Sequence, residues 1–342
     1  MSKIKVGIVG ASGYSGMDLL KLLTRHPAVE VTVITSGTYA GKYLHELNPY
    51  FKDRLNIPFR KLDYDELKEE CDAVFFATPS GTAMEHAPNL YDSSLKLIDI
   101  SGDFRLSSNE DYKTWYKREH SDPKSLDRWV YGLSEVFRDD IAKCQYLSNP
   151  GCYPTSILLA LLPYYRLETP QRPVICDSKS GVSGKGKKLT ADSLFVECNE
   201  NFIAYKVTLH QHTPEIEKAI HSFTGQSSPI IFTPHLVPMD RGILSTIYIS
   251  LDENSPSETD IRNHYLSYYE SSPFIKVLEG GLLPQTKNVT YTNECHISLA
   301  VDERTNTLKI FSVIDNLVKG AAGSALQNFN LMFSLDETTA LE

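Results

Sequence analysis

The 342-residue chain has 41% hydrophobic and 23% charged residues and a formal net charge of −9, the balance of a soluble globular protein with material for two domains. The acidic surplus argues against a nucleic-acid surface, and no apolar run approaches the roughly 20 residues a membrane helix needs. Six cysteines, at 71, 144, 152, 176, 198 and 295, form no CxxC pair and no metal-ligand cluster. With a start that runs directly into a strand pattern and shows no signal peptide, they point to reduced thiols, a cytoplasmic location and no bound metal.

In chain order, Ile4–Val9 reads as a buried strand, followed by the turn GASGYSG from Gly10 to Gly16 and a helix that stops before Pro27. Strand, glycine turn and helix open a dinucleotide-binding βαβ unit, here spaced G-x-x-G-x-x-G. Gly10, Gly13 and Gly16 let the backbone approach a pyrophosphate, with Ser12, Tyr14 and Ser15 at the mouth of the helix. The next strand, VEVTVITS, ends at Ser36 instead of an acid. An acid there would grip the ribose of NAD, whereas Ser36, Thr38 and Lys42 suit a 2′-phosphate, so NADP(H) is the expected cofactor. Strands at Ala73–Thr78 and Lys96–Ile100 continue a mostly parallel sheet. Arg105, in SGDFRL just past a strand end, suits a phosphate or carboxylate, or else a surface ion pair with Asp103 or Glu110.

The run LSNPGCYPTSILLALLP from Leu147 to Pro163 places Cys152 between a polar turn and a strongly apolar helix, with Pro154 expected at its first position. Unpaired N–H groups and the helix dipole at that junction favour a thiolate, Gly151 leaves room for a substrate, and Asn149 offers an amide. A buried cysteine after a tight turn is the plainer alternative. Beyond this helix the pattern changes. The strand VICDSKSG leads into a small, basic loop through Ser180, Gly181 and Gly184, which suits an anion or is simply a flexible solvent-facing loop. Runs at Phe202–Thr208, Ile230–Leu236, Leu244–Leu251, Cys295–Val301 and Leu308–Ile314 suggest a mostly antiparallel sheet and an α+β second domain. DNLVKGAAGSALQNFNLMFSL reads as a long small-residue helix.

His210 and His212 lie two apart at the expected end of the 202–208 strand and so share a face. Thr213, Pro214 and Glu215 suit the start of a following helix, and Glu215 is also placed to orient an imidazole. The histidines read as metal ligands, as satisfied structural residues, or as the acid/base partner of Cys152. A cysteine nucleophile, a histidine and a nicotinamide site together define thioester chemistry: reduction of an activated acyl group to an aldehyde, or its reverse with phosphate.

Taken together, VGIVGASGYSG, SGDFRL, SNPGCYPT, KSGVSGKG, HQHTPEIE, FTPHLVPMDRGIL, IDNLVKGAAGSALQNFNLM and ETTALE resemble, collinearly over nearly the whole chain, the N-acetyl-γ-glutamyl-phosphate reductases of arginine biosynthesis. Aspartate-semialdehyde dehydrogenase is a more distant relative of similar architecture. The resemblance implies an α/β fold. A Rossmann-type NADP-binding domain over 1–151, completed by a C-terminal helix over 316–342, joins an α+β catalytic and oligomerisation domain of the semialdehyde-dehydrogenase type over 152–315. It implies NADPH-dependent reduction of N-acetylglutamyl 5-phosphate to the 5-semialdehyde with release of inorganic phosphate, in a homo-oligomer, a tetramer or dimer. Cys152 is then the nucleophile and His212 the acid/base. Arg105, Asn149, His210 and Glu215 contact substrate, and Ser180, Gly181, Gly184 and Asn316 join the glycine turn in binding cofactor. Gln211 departs from the family's usual Arg and is expected to face away from the histidines; Ser156 stands where Gly, Ala or Cys is common. A paralogous lysine-pathway reductase acting on a carrier-bound aminoadipyl phosphate, and a non-catalytic NADP-binding sensor, are the alternatives.

Overall fold

The structure, a computed structural model, describes residues 2–342. The chain forms two compact units, one of residues 1–150 and 321–342, the other of residues 151–320. The longer helices are α1 (Tyr14–Leu23), α2 (Cys152–Leu167), α3 (His212–Thr224), α4 (Glu258–Tyr268) and α5 (Gly323–Met332).

The first unit is built on β1 (Ile4–Val9), β2 (Val29–Thr35), β3 (Phe59–Arg60), β4 (Ala73–Phe76), β5 (Lys96–Asp99), β6 (Trp129–Tyr131) and β7 (Tyr146–Ser148). They form one sheet in the order β3-β2-β1-β4-β5-β7-β6, and every pairing is parallel. Parallel strands need crossovers that cover the sheet, which is why β1, β4 and β5 are short, near-continuous apolar runs buried along almost their whole length. The order reverses at β1, and ligands of open α/β sheets bind at such a switch point, beyond the carboxyl ends of the strands. The C-terminal segment belongs to this unit and lies entirely in its core from Gly323 to Met332. It is a shorter α-helix than the sequence suggests: Val318–Ala322 forms a π-type turn before α5 begins.

The second unit carries β8 (Val174–Gly181), β9 (Ile203–Ala204), β10 (Ile230–Val237), β11 (Ile243–Ser250), β12 (Ile275–Val277), β13 (Cys295–Asp302) and β14 (Thr307–Ile314). Their order is β12-β13-β14-β11-β8-β10-β9. Four of the six pairings are antiparallel, and β10 with β8 and β12 with β13 are parallel. Helix α2 packs on β11 and β14, α3 on β10 and α4 on β13. The strands alternate accordingly: Val174, Cys176 and Ser178 of β8 are buried, whereas Ile175 is 41% exposed on the opposite face. One face of this sheet is therefore covered by helices, and the other still carries Ile175 and Ile231 in the open.

Candidate active site

Cys152 is the first residue of α2, with Gly151 as its N-cap and no side-chain cap. Pro154 is the third helical residue, not the first, but this is still within the turn whose N–H groups have no intrahelical acceptor, so the proline removes nothing needed. Nearly all of α2 is buried, from Tyr153 to Tyr165, while Cys152 itself is only half-buried. The helix thus works as an apolar pillar that ends on a thiol. A Cβ on Gly320 would lie 2.7 Å from the Cys152 Cβ, so the backbone of the 315–320 turn presses directly on the cysteine. The Gly320 N–H bonds the Asp315 carbonyl at 2.9 Å. The Asp315 carboxylate in turn accepts from the N–H groups of Leu317, Val318 and Tyr291.

The other thiols differ. Burial pushes Cys71 up to about 11 and Cys144 up to about 12, and drives fully buried Cys176 higher still. Such thiols are inert near neutral pH, whereas a cysteine at a helix N-terminus is placed where negative charge is favoured.

The histidines come together by a route the sequence did not suggest. The expected strand over 202–208 is only Ile203–Ala204. Lys206 and Thr208 take φ of +46° and +62°, so the backbone turns where an alternating pattern would have kept it extended. His210 follows this turn and His212 opens α3. The pair is fixed by a local bond, the His212 N–H donating to His210 Nδ1 at 3.1 Å, with the rings 4.6 Å apart. That bond makes His210 Nδ1 an acceptor, which leaves the ring proton of the neutral imidazole on Nε2. Burial, reinforced by Lys206, lowers His210 to about 3, so it stays neutral at physiological pH. Both rings pack edge-on to Tyr153, the residue after the cysteine, at 5.7 and 6.0 Å. Gln211 accepts a bond from Lys206 Nζ at 2.9 Å.

Glu215 lies in the first turn of α3, fully buried, and its Oε1 accepts the Gly151 N–H at 2.8 Å. Its carboxylate therefore ties the beginning of α3 to the entrance of α2. Sequence reasoning assigned it to substrate or to an imidazole; a bond across 64 positions to a backbone N–H leaves no sequence signal. Ser156, one helical turn beyond Cys152, donates toward Ser245 and Ser312 at 2.9 and 3.2 Å, and Ser245 also bonds Ser178 at 2.8 Å. The hydroxyl that departs from the family pattern is thus satisfied inside a buried serine cluster between α2 and the sheet.

Ser180, Gly181, Gly184 and Asn316 converge within the second unit. A Cβ on Gly181 would meet the Asp240 carbonyl at 2.5 Å, and one on Gly184 would meet Ser180 Oγ at 3.1 Å. Asn316 is buried with its amide engaged: Oδ1 accepts from Gly242 N–H at 2.8 Å and Nδ2 donates to Ser183 Oγ at 3.0 Å. It shapes the 181–184 loop.

In the first unit, Gly10 has φ of +85° and an added Cβ would lie 2.6 Å from the Ala77 carbonyl, so only glycine fits this turn. A Cβ on Gly16 would sit 2.8 Å from Ala11 Cα. Gly13 is the N-cap of α1, with no side-chain cap and no acid in the first turn, and Tyr14 and Ser15 follow it. These features fit a bound pyrophosphate: close backbone approach, a helix start without a negative side chain, and no competing cap. Ser12 Oγ and Ser36 Oγ are 3.0 Å apart, which ties the turn to the end of β2, and Ser36 Oγ also accepts from Tyr39 N–H.

Asn149 and Arg105 both make buried hydrogen bonds within this unit. Asn149 is fully buried; its Nδ2 donates to Ser324 Oγ at 3.1 Å and its Oδ1 accepts from Asn328 at 3.0 Å. Arg105 is 5% exposed and spends Nε on the Asn149 carbonyl and Nη2 on the Ile100 carbonyl. Its neighbour Asp103 is buried and accepts from Ser80 Oγ and the Gly81 and Met84 N–H groups. Among the described residues no group of three or more His, Cys, Asp or Glu side chains is arranged to hold a metal.

A nicotinamide-type unit followed by a unit with a cysteine–histidine site is the organisation of semialdehyde dehydrogenases, and both halves match that class. Residues 5–144 match the family model of the semialdehyde dehydrogenase NAD binding domain, and residues 152–316 that of its dimerisation domain. The fold is shared with aspartate semialdehyde dehydrogenase II of Vibrio cholerae, at a TM-score of 0.75 and 17% identity over 98% of this chain and 99% of that one. It is also shared with the Candida albicans aspartate semialdehyde dehydrogenase with NADP, at a TM-score of 0.73 and 15% identity over 97% of this chain and 99% of that one. Sequence likeness is much higher to proteins named N-acetyl-gamma-glutamyl-phosphate reductase. That of Desulforamulus reducens is 46% identical over 99% of this chain and 98% of its own length. That of Acinetobacter baylyi is 46% identical, again over 99% and 98%. The chain belongs to the N-acetyl-gamma-glutamyl-phosphate reductase family of semialdehyde dehydrogenases.

Proposed function

We propose that the chain reduces N-acetyl-L-glutamyl 5-phosphate to N-acetyl-L-glutamate 5-semialdehyde and phosphate, with NADPH as reductant, in arginine biosynthesis in the cytoplasm. The observation that carries this reading is Cys152, half-buried on the first turn of α2, in the same unit as the His210–His212 pair. End-to-end likeness to relatives named for that reaction supports the substrate, and the relatives reported above do not bear the lysine-pathway name.

His212 takes the Cys152 proton, and the thiolate attacks the acyl carbon. A C–S bond forms, the C–O bond to phosphorus breaks, and His212 passes the proton to the departing phosphate. When bound, NADPH supplies the hydride that turns the thioester into a thiohemiacetal oxyanion. Collapse of that oxyanion breaks the C–S bond and releases the aldehyde, and Cys152 leaves as thiolate, to be reprotonated from solvent through His212. The start of α2 holds the sulfur's negative charge, by about 0.3–1 kcal/mol at exposed sites and up to about 2 when partly buried. Neutral His210 serves as a fixed hydrogen-bonding wall, and Glu215 holds the backbone from which Cys152 projects.

NADP is preferred to NAD because β2 is followed by Ser36 and not by an acid, and Gly37 beside it has nothing within 4 Å of where a Cβ would stand. Assembly into a homo-oligomer is supported by the match of 152–316 to a dimerisation domain and by the open sheet face bearing Ile175 and Ile231. The test is the reverse reaction. With N-acetylglutamate semialdehyde, NADP and phosphate, NADPH should form, depend on phosphate, and be favoured over NADH formation from NAD. Turnover with the aminoadipate analogue alone, or none in protein that binds NADP, would overturn the assignment.

A further inference from the structure

Between the basic loop after β8 and the histidine turn, the second unit carries an arm that is apolar and uncovered. Along Leu189–Leu209 the exposures are 75% for Leu189, 79% for Phe195, 76% for Val196, 56% for Phe202, 48% for Val207 and 59% for Leu209. Scattered single apolar residues on a surface need no partner; this many in 21 consecutive positions do. Its regular structure amounts to short 3₁₀ and α turns at Ala191–Ser193 and Phe195–Cys198 and the two residues of β9.

The backbone of the same segment is strained. Glu200, Lys206 and Thr208 have φ of +55°, +46° and +62°. Positive φ is uncommon for any residue but glycine, and β-branched Thr208 is an outlier that persists only where its surroundings over-determine it, yet Thr208 faces solvent. What the strained turn delivers is His210, the next-but-one residue, and through the His212 N–H to His210 Nδ1 bond the acid/base itself.

The arm is continuous with the open face of the sheet. The Phe202 ring lies tilted against His235, with centroids 5.3 Å apart, β9 extends the edge of β10, and His235 pairs with Asp177 on the same face as Ile175 and Ile231. Fully covering one phenylalanine removes roughly 150–250 Å² from water, so arm and face together offer the approximately 800 Å² per partner that a stable interface uses.

We propose that the arm Leu189–Leu209 docks on a second copy of this chain, and that this contact holds the 206–208 turn in the conformation that sets His210 and His212. The proposal extends the homo-oligomer of the proposed function and makes the active site of one copy dependent on the presence of another. It requires no residue of the second copy to touch substrate.

Sedimentation velocity and hydrogen exchange on the full chain, neither of which needs the substrate to be known, test this separately from the enzymatic assignment. Wild type should sediment as a dimer or larger, with slow exchange along 189–209. On dilution through its dissociation range that protection should fall in step with mass. The variant Phe195→Asp/Val196→Asp, at the tip of the arm and away from the histidines, should dissociate at concentrations at least 10-fold higher than wild type. It should exchange rapidly at 203–210 and lose at least 10-fold in turnover, with NADP affinity within 2-fold of wild type. A wild type that is monomeric with a protected arm, or a dissociated protein whose arm stays protected, would show that its own chain covers the arm and would overturn the proposal. So would a variant that assembles and exchanges like wild type.

Discussion

Two helices start in nearly the same way and are used for different ends. Both α1 and α2 are entered through a glycine N-cap without a side-chain cap, and neither has an acid in its first turn. At α1 the glycines keep side chains out, so that the N–H groups of the helix start suit the phosphates of a diffusing cofactor. At α2 the chain brings its own sulfur, that of Cys152, whose charge in the proposed reaction forms at the helix start. The N–H of its N-cap residue is already taken by Glu215 Oε1. One helix start is shaped to accept a charge and the other to carry one. A helix dipole is therefore a general resource, and the side chains and glycines around it decide its task.

Four changes should break or sharpen this contrast. Replacing Cys152 by Ser should lower acyl-phosphate reduction by roughly 10⁴-fold or more while leaving NADP binding intact by fluorescence titration. Gly10→Val should do the opposite, because its Cβ would lie 2.6 Å from the Ala77 carbonyl at φ of +85°. NADP affinity should fall by about 100-fold or more and unfolding should become easier by about 1–3 kcal/mol, while alkylation of Cys152, mapped by mass spectrometry, persists. Glu215→Ala leaves the Gly151 N–H without its acceptor and should reduce kcat by roughly 10- to 100-fold; Glu215→Gln, which keeps an acceptor, should recover most of it, with KM for NADP unmoved in both.

The effect that is smallest at neutral pH concerns stability. His210 is lowered from 6.5 to about 3 in the folded protein by burial and by Lys206. Between those values the unfolded chain binds the extra proton and the folded one does not. Its contribution to stability is therefore complete above about pH 6.5 and is lost as pH falls toward 3, with a slope approaching about 1.4 kcal/mol per pH unit. Urea denaturation at a series of pH values should show this slope diminished in His210→Phe.

The two helix starts also differ in how far they could be read from sequence. The α1 turn is local: glycine spacing, the preceding strand and the following helix all lie within Ile4–Leu23, so its reading needed no tertiary information. Cys152 at the head of α2 was legible for the same reason. The histidine pair was found by residue type but on a wrong premise. Phe202–Thr208 alternates like a strand, yet Lys206 and Thr208 turn the chain, and the pair is brought together by a turn and a helix start. Glu215 on Gly151 and Asn149 within the Ser324–Asn328 network are contacts across 64 and 175 or more positions, each set only once its own unit has folded. The position of Arg105 just past β5 was legible, whereas the bonds from two of its nitrogens to the Asn149 and Ile100 carbonyls depend on packing and left no local signal.

The central claim is that Cys152 becomes acylated, and it can be tested without any reductant. Mixing the protein with N-acetylglutamyl 5-phosphate in the absence of NADPH should release one equivalent of phosphate per active site. Intact-mass and peptide spectra should then show a single N-acetylglutamyl group on Cys152, which NADPH discharges as the semialdehyde. An adduct that still forms in Cys152→Ser, or reduction that proceeds with no acylated cysteine at any time, would contradict the account.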